Sequence, residues 1–253
     1  MPILHKNHEG LTAGLSPQLW DRVPTELMAP HGNPGLGWYK CYDWIDETLY
    51  DASTLEFTGW QLTANSGTAV LLAGNGGVLR MSATSSNGQG PQIQLGDVAW
   101  IDFDSCSRVT MEMYATPSGI STVGPEFFFG LASEDTTIIA SDANSVADFV
   151  GMQRFAADIT TNVAGASAVA SGSVTGAATF TATGADIVST AFKYGMQITK
   201  NGAAFYIDGV KETDQLTASE ITRVAMLPSL VWQGNGTDTP LLDVDWIAIA
   251  VER

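Results

Sequence analysis

From Leu55 onward, apolar residues recur at alternate positions in short runs that Gly, Pro, Asn and Asp keep interrupting. A chain written this way makes strands, because helices need apolar residues three and four apart over roughly ten or more positions. Val109, Met111 and Met113 alternate with Thr110, Glu112 and Tyr114, the pattern of a half-buried strand. Tyr194, Met196 and Ile198 do the same against Gly195, Gln197 and Thr199. Lys200-Asn201-Gly202 follows, and its Asn-Gly pair suits the positive φ angles of a tight hairpin turn. The return strand Ala204–Ile207 closes on a second turn signal, Asp208-Gly209. Glu126–Leu131 is apolar on both faces and predicts a central strand. Val244–Val251 loses alternation after Trp246 and is expected to be buried on both sides. Further strands are predicted around 57–62, 69–72, 77–83, 92–95, 148–155, 178–183 and 224–232. The later helix cue, Thr217-Ala-Ser-Glu220, is a capping-box pattern worth a turn or two. Roughly a dozen strands separated by turns, without interleaved helices, predict an all-β antiparallel two-sheet sandwich.

The text changes character near residue 52. Residues 1–52 hold His5, His8 and His31 together with Trp20, Trp38, Tyr39, Tyr42, Trp44 and Tyr50. A short helix is expected after Ser16, with Pro17 at its first position, where a missing N–H costs nothing. His31–Gly37 carries too much Gly and Pro for a regular element. The expected division is an extended N-terminal arm over 1–52 and a sandwich domain over 53–253. Residues 159–185 carry no charge and are rich in Ala, Gly, Ser, Thr and Val. They are read as two small-residue strands around a turn, with Val174, Phe180 and Ala182 inward. An uncharged edge of this kind needs a cover, either another subunit or the arm.

Charge narrows the function. The 253 residues include 11 basic and 27 acidic ones, a formal net charge of −16. Nucleic-acid binding needs Lys and Arg to displace counterions, so no nucleic-acid partner is expected. The same charge disfavours an anionic membrane surface, and no apolar run is long enough to span a bilayer. The first residues lack the apolar stretch of an export signal, so Cys41 and Cys106 are expected to stay free, buried thiols.

Catalytic and metal patterns are mostly absent. The histidines all precede the sandwich, and no Gly-x-Ser-x-Gly occurs, which argues against a nucleophilic triad. Asp243 and Asp245 have the i, i+2 spacing of a glycosidase pair, but the expected reading puts both on the solvent face while Val244 and Trp246 pack inward. Asp43, Asp46 and Glu47 lie in the arm, a poor place to hold catalytic geometry. His5 and His8 could bind zinc on a helix, yet nothing nearby completes the set. Glu134, Asp135 and Asp142 could offer oxygens to calcium, although no EF-hand-like loop exists. Gly74–Gly77 reads as a turn without a phosphate-binding helix, and Asn235-Gly-Thr237 as a turn rather than a glycan acceptor. No catalytic residue, metal or cofactor is assigned.

The aromatics carry most information. Trp20, Trp38, Tyr39 and Trp44 are expected to anchor the arm in a neighbouring subunit, the alternative being that they fold back onto the sandwich. Trp246 reads as core. Trp232, before Gln233-Gly-Asn-Gly236, could stand at a loop mouth and stack on a sugar, although packing is the commoner role.

Gly124–Leu131, Asp148–Met152, Tyr194–Gly202 and Phe205-Tyr-Ile-Asp-Gly209, in that order, resemble the concanavalin/laminin-G-like jelly-roll sandwich. The resemblance covers about residues 55–253, and it implies a last strand that returns through the sheet, as Val244–Ile247 would. The sugar- and calcium-binding loops of lectin members are not recognisable. An irregular arm followed by such a sandwich in an acidic chain is similar in layout to virion proteins of tailed bacteriophages. That similarity implies a non-enzymatic structural protein on the capsid exterior, bound to the major capsid protein. It would be a homo-oligomer, a trimer in first place. The alternative is a carbohydrate-binding or host-adhesion module.

Overall fold

The computed structural model describes residues 14–28, 35–44, 59–72, 77–96, 98–120, 125–139, 148–154, 167–170, 178–179, 191–221, 223–234 and 236–253. The elements are α1 (Pro17–Trp20), β1 (Gly37–Tyr42), β2 (Trp60–Ala64), β3 (Thr68–Leu72), β4 (Val78–Ser82), β5 (Pro91–Leu95), β6 (Arg108–Ser118) and β7 (Glu126–Ala132). They continue as β8 (Phe149–Arg154), β9 (Ser167–Ala170), β10 (Ala178–Thr179), β11 (Phe192–Thr199), β12 (Gly202–Ile207), β13 (Val210–Thr217), β14 (Leu227–Gln233) and β15 (Leu241–Glu252). A 3₁₀ turn, Ala218–Glu220, stands where the capping box was read.

Two antiparallel sheets result, as expected. The larger runs β13-β12-β11-β6-β15-β4-β3, with β1 also on β15, and the other runs β10-β9-β8-β7-β14-β5-β2. The core lies between them. Met111, Met113, Tyr194 and Ile249 of the larger sheet meet Ile93, Phe127, Phe129 and Trp232 of the other. Phe127 sits at the centre, with its ring centroid 5.6 Å from Tyr194, 6.2 Å from Phe192 and 6.3 Å from Trp232.

β15 organises the larger sheet. One edge pairs with β6 throughout, from Leu241↔Ser118 to Glu252↔Arg108. The other edge is divided, β4 taking Leu241–Val244 and β1 taking Ile247–Glu252. Part of the segment expected to be an irregular arm is therefore a strand of the sheet. The correction has a physical cause, since the half of β15 beyond β4 would otherwise leave buried backbone groups unbonded.

A register shift between Val244 and Trp246 flips the alternation of β15. Val244, Ile247 and Ile249 face the core, whereas Trp246, Ala248 and Ala250 belong to a second cluster on the outer face. Trp246 is thus buried as read, but on the opposite side from Val244. The β11–β12 hairpin forms at Lys200-Asn201, yet the positive φ belongs to Gly202 (+143°) and not to Asn201. A Cβ at Gly202 would run into the Leu216 carbonyl. The second turn does use both its residues at positive φ, Asp208 at 49° and Gly209 at 80°, and it leads into β13, a strand not foreseen.

Part of each outer face is covered by the chain itself. Residues 14–28 cross the larger sheet, burying Leu19, Trp20 and Leu27 against Tyr206 and Trp246. β6 is consequently buried on both faces, including Thr110 and Glu112, rather than half-buried. On the other sheet, residues 133–139 lie over Phe128, Phe149 and Val231 through Ile138 and Ile139. Glutamines of the sheet hold that loop by its backbone. Gln92 accepts from Ile138 N (2.8 Å), Gln94 accepts from Asp135 N (3.1 Å) and donates to the Ser133 carbonyl (3.1 Å), and Gln233 donates to the Ile139 carbonyl.

β9 and β10 pair as Ala178↔Ala168 and Thr179↔Ser167, so the small-residue segment does supply two antiparallel strands. Val174, Phe180 and Ala182 lie outside the described residues. Phe127→Ala should lower unfolding free energy by about 3–5 kcal/mol, read by urea titration, because the ring bridges both sheets and leaves a cavity the core cannot close.

Candidate functional site

One end of the sandwich brings together the start of β1, the ends of β5 and β15, and the loop between β5 and β6. Trp38, Gly59, Leu95, Gly96, Trp100 and Arg253 line a pocket of roughly 390 Å³ there. Trp38 points to the core side of β1, where it packs on the edge of the main cluster. Trp100 comes from the β5–β6 loop and meets Trp38 edge-on, with centroids 5.3 Å apart and planes at 76°. The Trp100 indole N–H donates to the Leu95 carbonyl at 3.1 Å, which fixes the ring while 39% of the residue stays exposed. Gly96, at φ +104°, passes beneath it; a Cβ there would touch the indole at 3.4 Å. Arg253 is anchored by its backbone N–H on the Leu36 carbonyl (2.9 Å) and lines the pocket as well. Beside it, Arg108 reaches Glu252 at 3.3 Å, and burial nonetheless holds that carboxyl above its ordinary range. The result is an open, mainly apolar pocket built around a fixed aromatic pair.

The residues singled out from sequence go to different places. Trp20 is fully buried, its ring 5.9 Å from Tyr39 on the outer face of the larger sheet. Trp44 is buried beside Tyr42 and Trp60 in the core, with centroids 5.9 and 6.4 Å away. These two and Tyr39 therefore fold back onto their own sandwich, which corrects their expected anchoring in a neighbour. Trp38 alone of the set reaches an open pocket. Trp232 is also corrected, because it is fully buried in the core and donates its indole N–H to the Pro240 carbonyl at 3.1 Å, leaving no face for a sugar. Trp100, Gly96 and Arg253 were not found from sequence.

The acid–base candidates are tied up. Asp243 receives two hydrogen bonds from Arg80, each 2.7 Å, so it is held as half of a fork-shaped ion pair. Asp245 sits in the bulge, off the alternation that would give the pair one face. Asp135 turns its carboxylate onto the Thr137 N–H (2.7 Å). Among the described residues no three His, Cys, Asp or Glu side chains converge on a metal-sized space. Cys41 and Cys106 are unbonded to each other, and burial pushes their thiols up to about 12 and about 11, which keeps both protonated and poorly nucleophilic. His5, His8, His31, Asp46, Glu47, Asp142 and Asn235 lie outside the described residues. No described helix is long and apolar enough to cross a membrane.

No protein-family model and no curated protein matches the sequence. Solved structures do share its fold. Peanut lectin with a nine-residue peptide is 10% identical over 84% of this chain and 96% of the lectin, at a TM-score of 0.54. The exoplasmic/lumenal domain of VIP36 in its Ca²⁺/Man-bound form is 11% identical over 80% of this chain and 87% of that one, at 0.51. A carbohydrate esterase from the Shiga toxin-encoding bacteriophage phi24B is 14% identical over 84% of this chain and 97% of its own, at 0.50. The fold is thus the lectin-like jelly roll that the strand motifs resemble.

The two loop-proximal tryptophans should respond differently to truncation. Trp232→Ala is expected to cost about 3–5 kcal/mol in urea unfolding, whereas Trp100→Ala, removing a part-exposed ring, should cost about 1 kcal/mol and leave the fold intact.

Proposed function

We propose that this chain is a non-enzymatic carbohydrate-binding module whose site is the Trp38–Trp100 pocket. The observation that carries the reading is the fixed, part-exposed indole of Trp100 set at right angles to Trp38. A sugar ring has an apolar face of C–H groups and a rim of hydroxyls. An aromatic surface set in a mainly apolar pocket complements the C–H face of such a ring. Because the Trp100 ring is already held by Leu95, little rotamer freedom remains to be lost on binding. The likeness to peanut lectin and to the Ca²⁺/Man-bound VIP36 domain supports the same class of ligand. The phage esterase shares the fold too, but the tied Asp243 and the protonated thiols favour binding over catalysis here. In a glycan array followed by titration calorimetry, the protein should bind at least one saccharide, and Trp100→Ala should weaken it roughly tenfold or more, about 1.4 kcal/mol. Absence of any glycan binding, or full affinity in the variant, would end the reading.

A second reading places the module on a bacteriophage particle, as a homo-oligomer on the outer capsid surface, bound to the major capsid protein. The net charge of −16 favours it, since packaged DNA repels such a chain toward the exterior. The fold it shares with a phage protein supports the same setting. Quantitative mass spectrometry of purified particles should find the chain at a simple fraction of the major capsid protein. Its absence from the particles would remove this reading and leave the first untouched.

A further inference from the structure

Residues 14–28 close a cluster on the outer face of the larger sheet that is separate from the core between the sheets. Among the described residues, no backbone-to-backbone hydrogen bond joins this segment to a strand. Its peripheral polar contacts are long: Lys193 Nζ to the Gly14 carbonyl (3.3 Å), Lys211 N to Gln18 Oε1 (3.3 Å) and Arg108 Nη1 to the Arg22 carbonyl (3.4 Å). The short, buried ones converge on a single atom. Glu112 Oε2, on β6, accepts the backbone N–H of Ser16 at 2.9 Å and the indole N–H of Trp20 at 2.8 Å. Glu112 is fully buried, and its other oxygen, Oε1, has no hydrogen-bond partner.

We propose that this segment is a strap that closes by taking up a proton at Glu112, so that acid holds it down and alkali releases it. With both N–H donors on Oε2, a charged carboxylate has the buried Ser16 hydroxyl near it but no hydrogen bond at Oε1, an under-satisfied state that is costly for a buried anion. A proton on Oε1 removes that charge and leaves both bonds to Oε2 intact. Closure therefore favours the neutral acid without giving up a contact.

The surrounding groups point the same way. On β1, Tyr39 and Cys41 are both held protonated by burial, and the Cys41 thiol feels the carboxylates of Asp43, Glu112 and Asp245. On β12, burial raises the Tyr206 phenol, against the pull of Arg22 on the strap. Lys193 on β11 favours the charged carboxylate, as do the Ser16 and Trp20 donors, but burial outweighs them and holds the Glu112 carboxyl above its ordinary range. With the strap lifted, water restores that ordinary range. The strap's stability is therefore complete below the usual carboxylate range and is lost as pH rises through the raised value.

Hydrogen exchange read by mass spectrometry on the full chain tests this, after correction for intrinsic exchange. Peptides spanning 15–28 should lose protection as pH rises from mildly acidic to alkaline, while β6 and β15 keep theirs. Glu112→Gln retains an oxygen for both N–H donors and carries no charge, so its strap should stay protected at alkaline pH with a flat profile. Strap protection in the unaltered protein that is independent of pH would overturn the proposal, even if the variant folds poorly. So would the unaltered slope persisting in Glu112→Gln, which would assign the titration to another group.

Discussion

A strand buried on both faces has no water to bond its backbone, so the 12 residues of β15 must find partners along both edges. β6 supplies one edge along the whole strand, interrupted at Asp245 where the register shifts. On the other, β4 stops at Val244 and β1 begins at Ile247, with the bulge at Asp245 between them. Much else follows from that division. The bulge turns Trp246 away from the core, which creates an apolar outer face on the larger sheet. That face then requires a cover, and residues 14–28 provide it. The aromatics before residue 45 are there because β15 needs completing and its outer face needs closing.

Self-covering also accounts for the composition. Only 15% of residues are charged, below the roughly 25% common in soluble domains. A sandwich with two solvated outer faces would need many charges along alternate positions. Here part of one outer face is sealed by a strap and part of the other by the loop over β5, β7 and β14. Neutral glutamines, which both donate and accept, serve the latter better than charges, because they read the N–H and C=O groups of the loop without a charge to desolvate.

The strands were legible because period two survives wherever one face is apolar. Met111 and Met196 mark their elements by alternation alone, whereas Ile249 lies in a run without alternation that marks a strand buried on both sides. β13 escaped because Val210-Lys-Glu-Thr-Asp-Gln-Leu-Thr217 is an edge strand whose Leu216 is its one buried apolar residue. β1 escaped because Gly and Pro before it mask the start, and because its partner lies at the far end of the chain. The fates of the tryptophans were illegible for a related reason. Whether an indole is buried depends on what folds over it, and no local pattern records that a strap will cover Trp20 or that Pro240 will cap Trp232. Trp100 and Arg253 carry no motif either; only the fold makes them neighbours.

The pocket's walls come from the beginning, the middle and the end of the described chain, where the outer ends of the β1–β15 and β2–β5 ladders meet at one corner of the sandwich. A molecule gripped by all three walls would act as a stitch. Its affinity would be added to the resistance of that corner against fraying, and occupancy would be written into how hard the fold is to pull open from its ends.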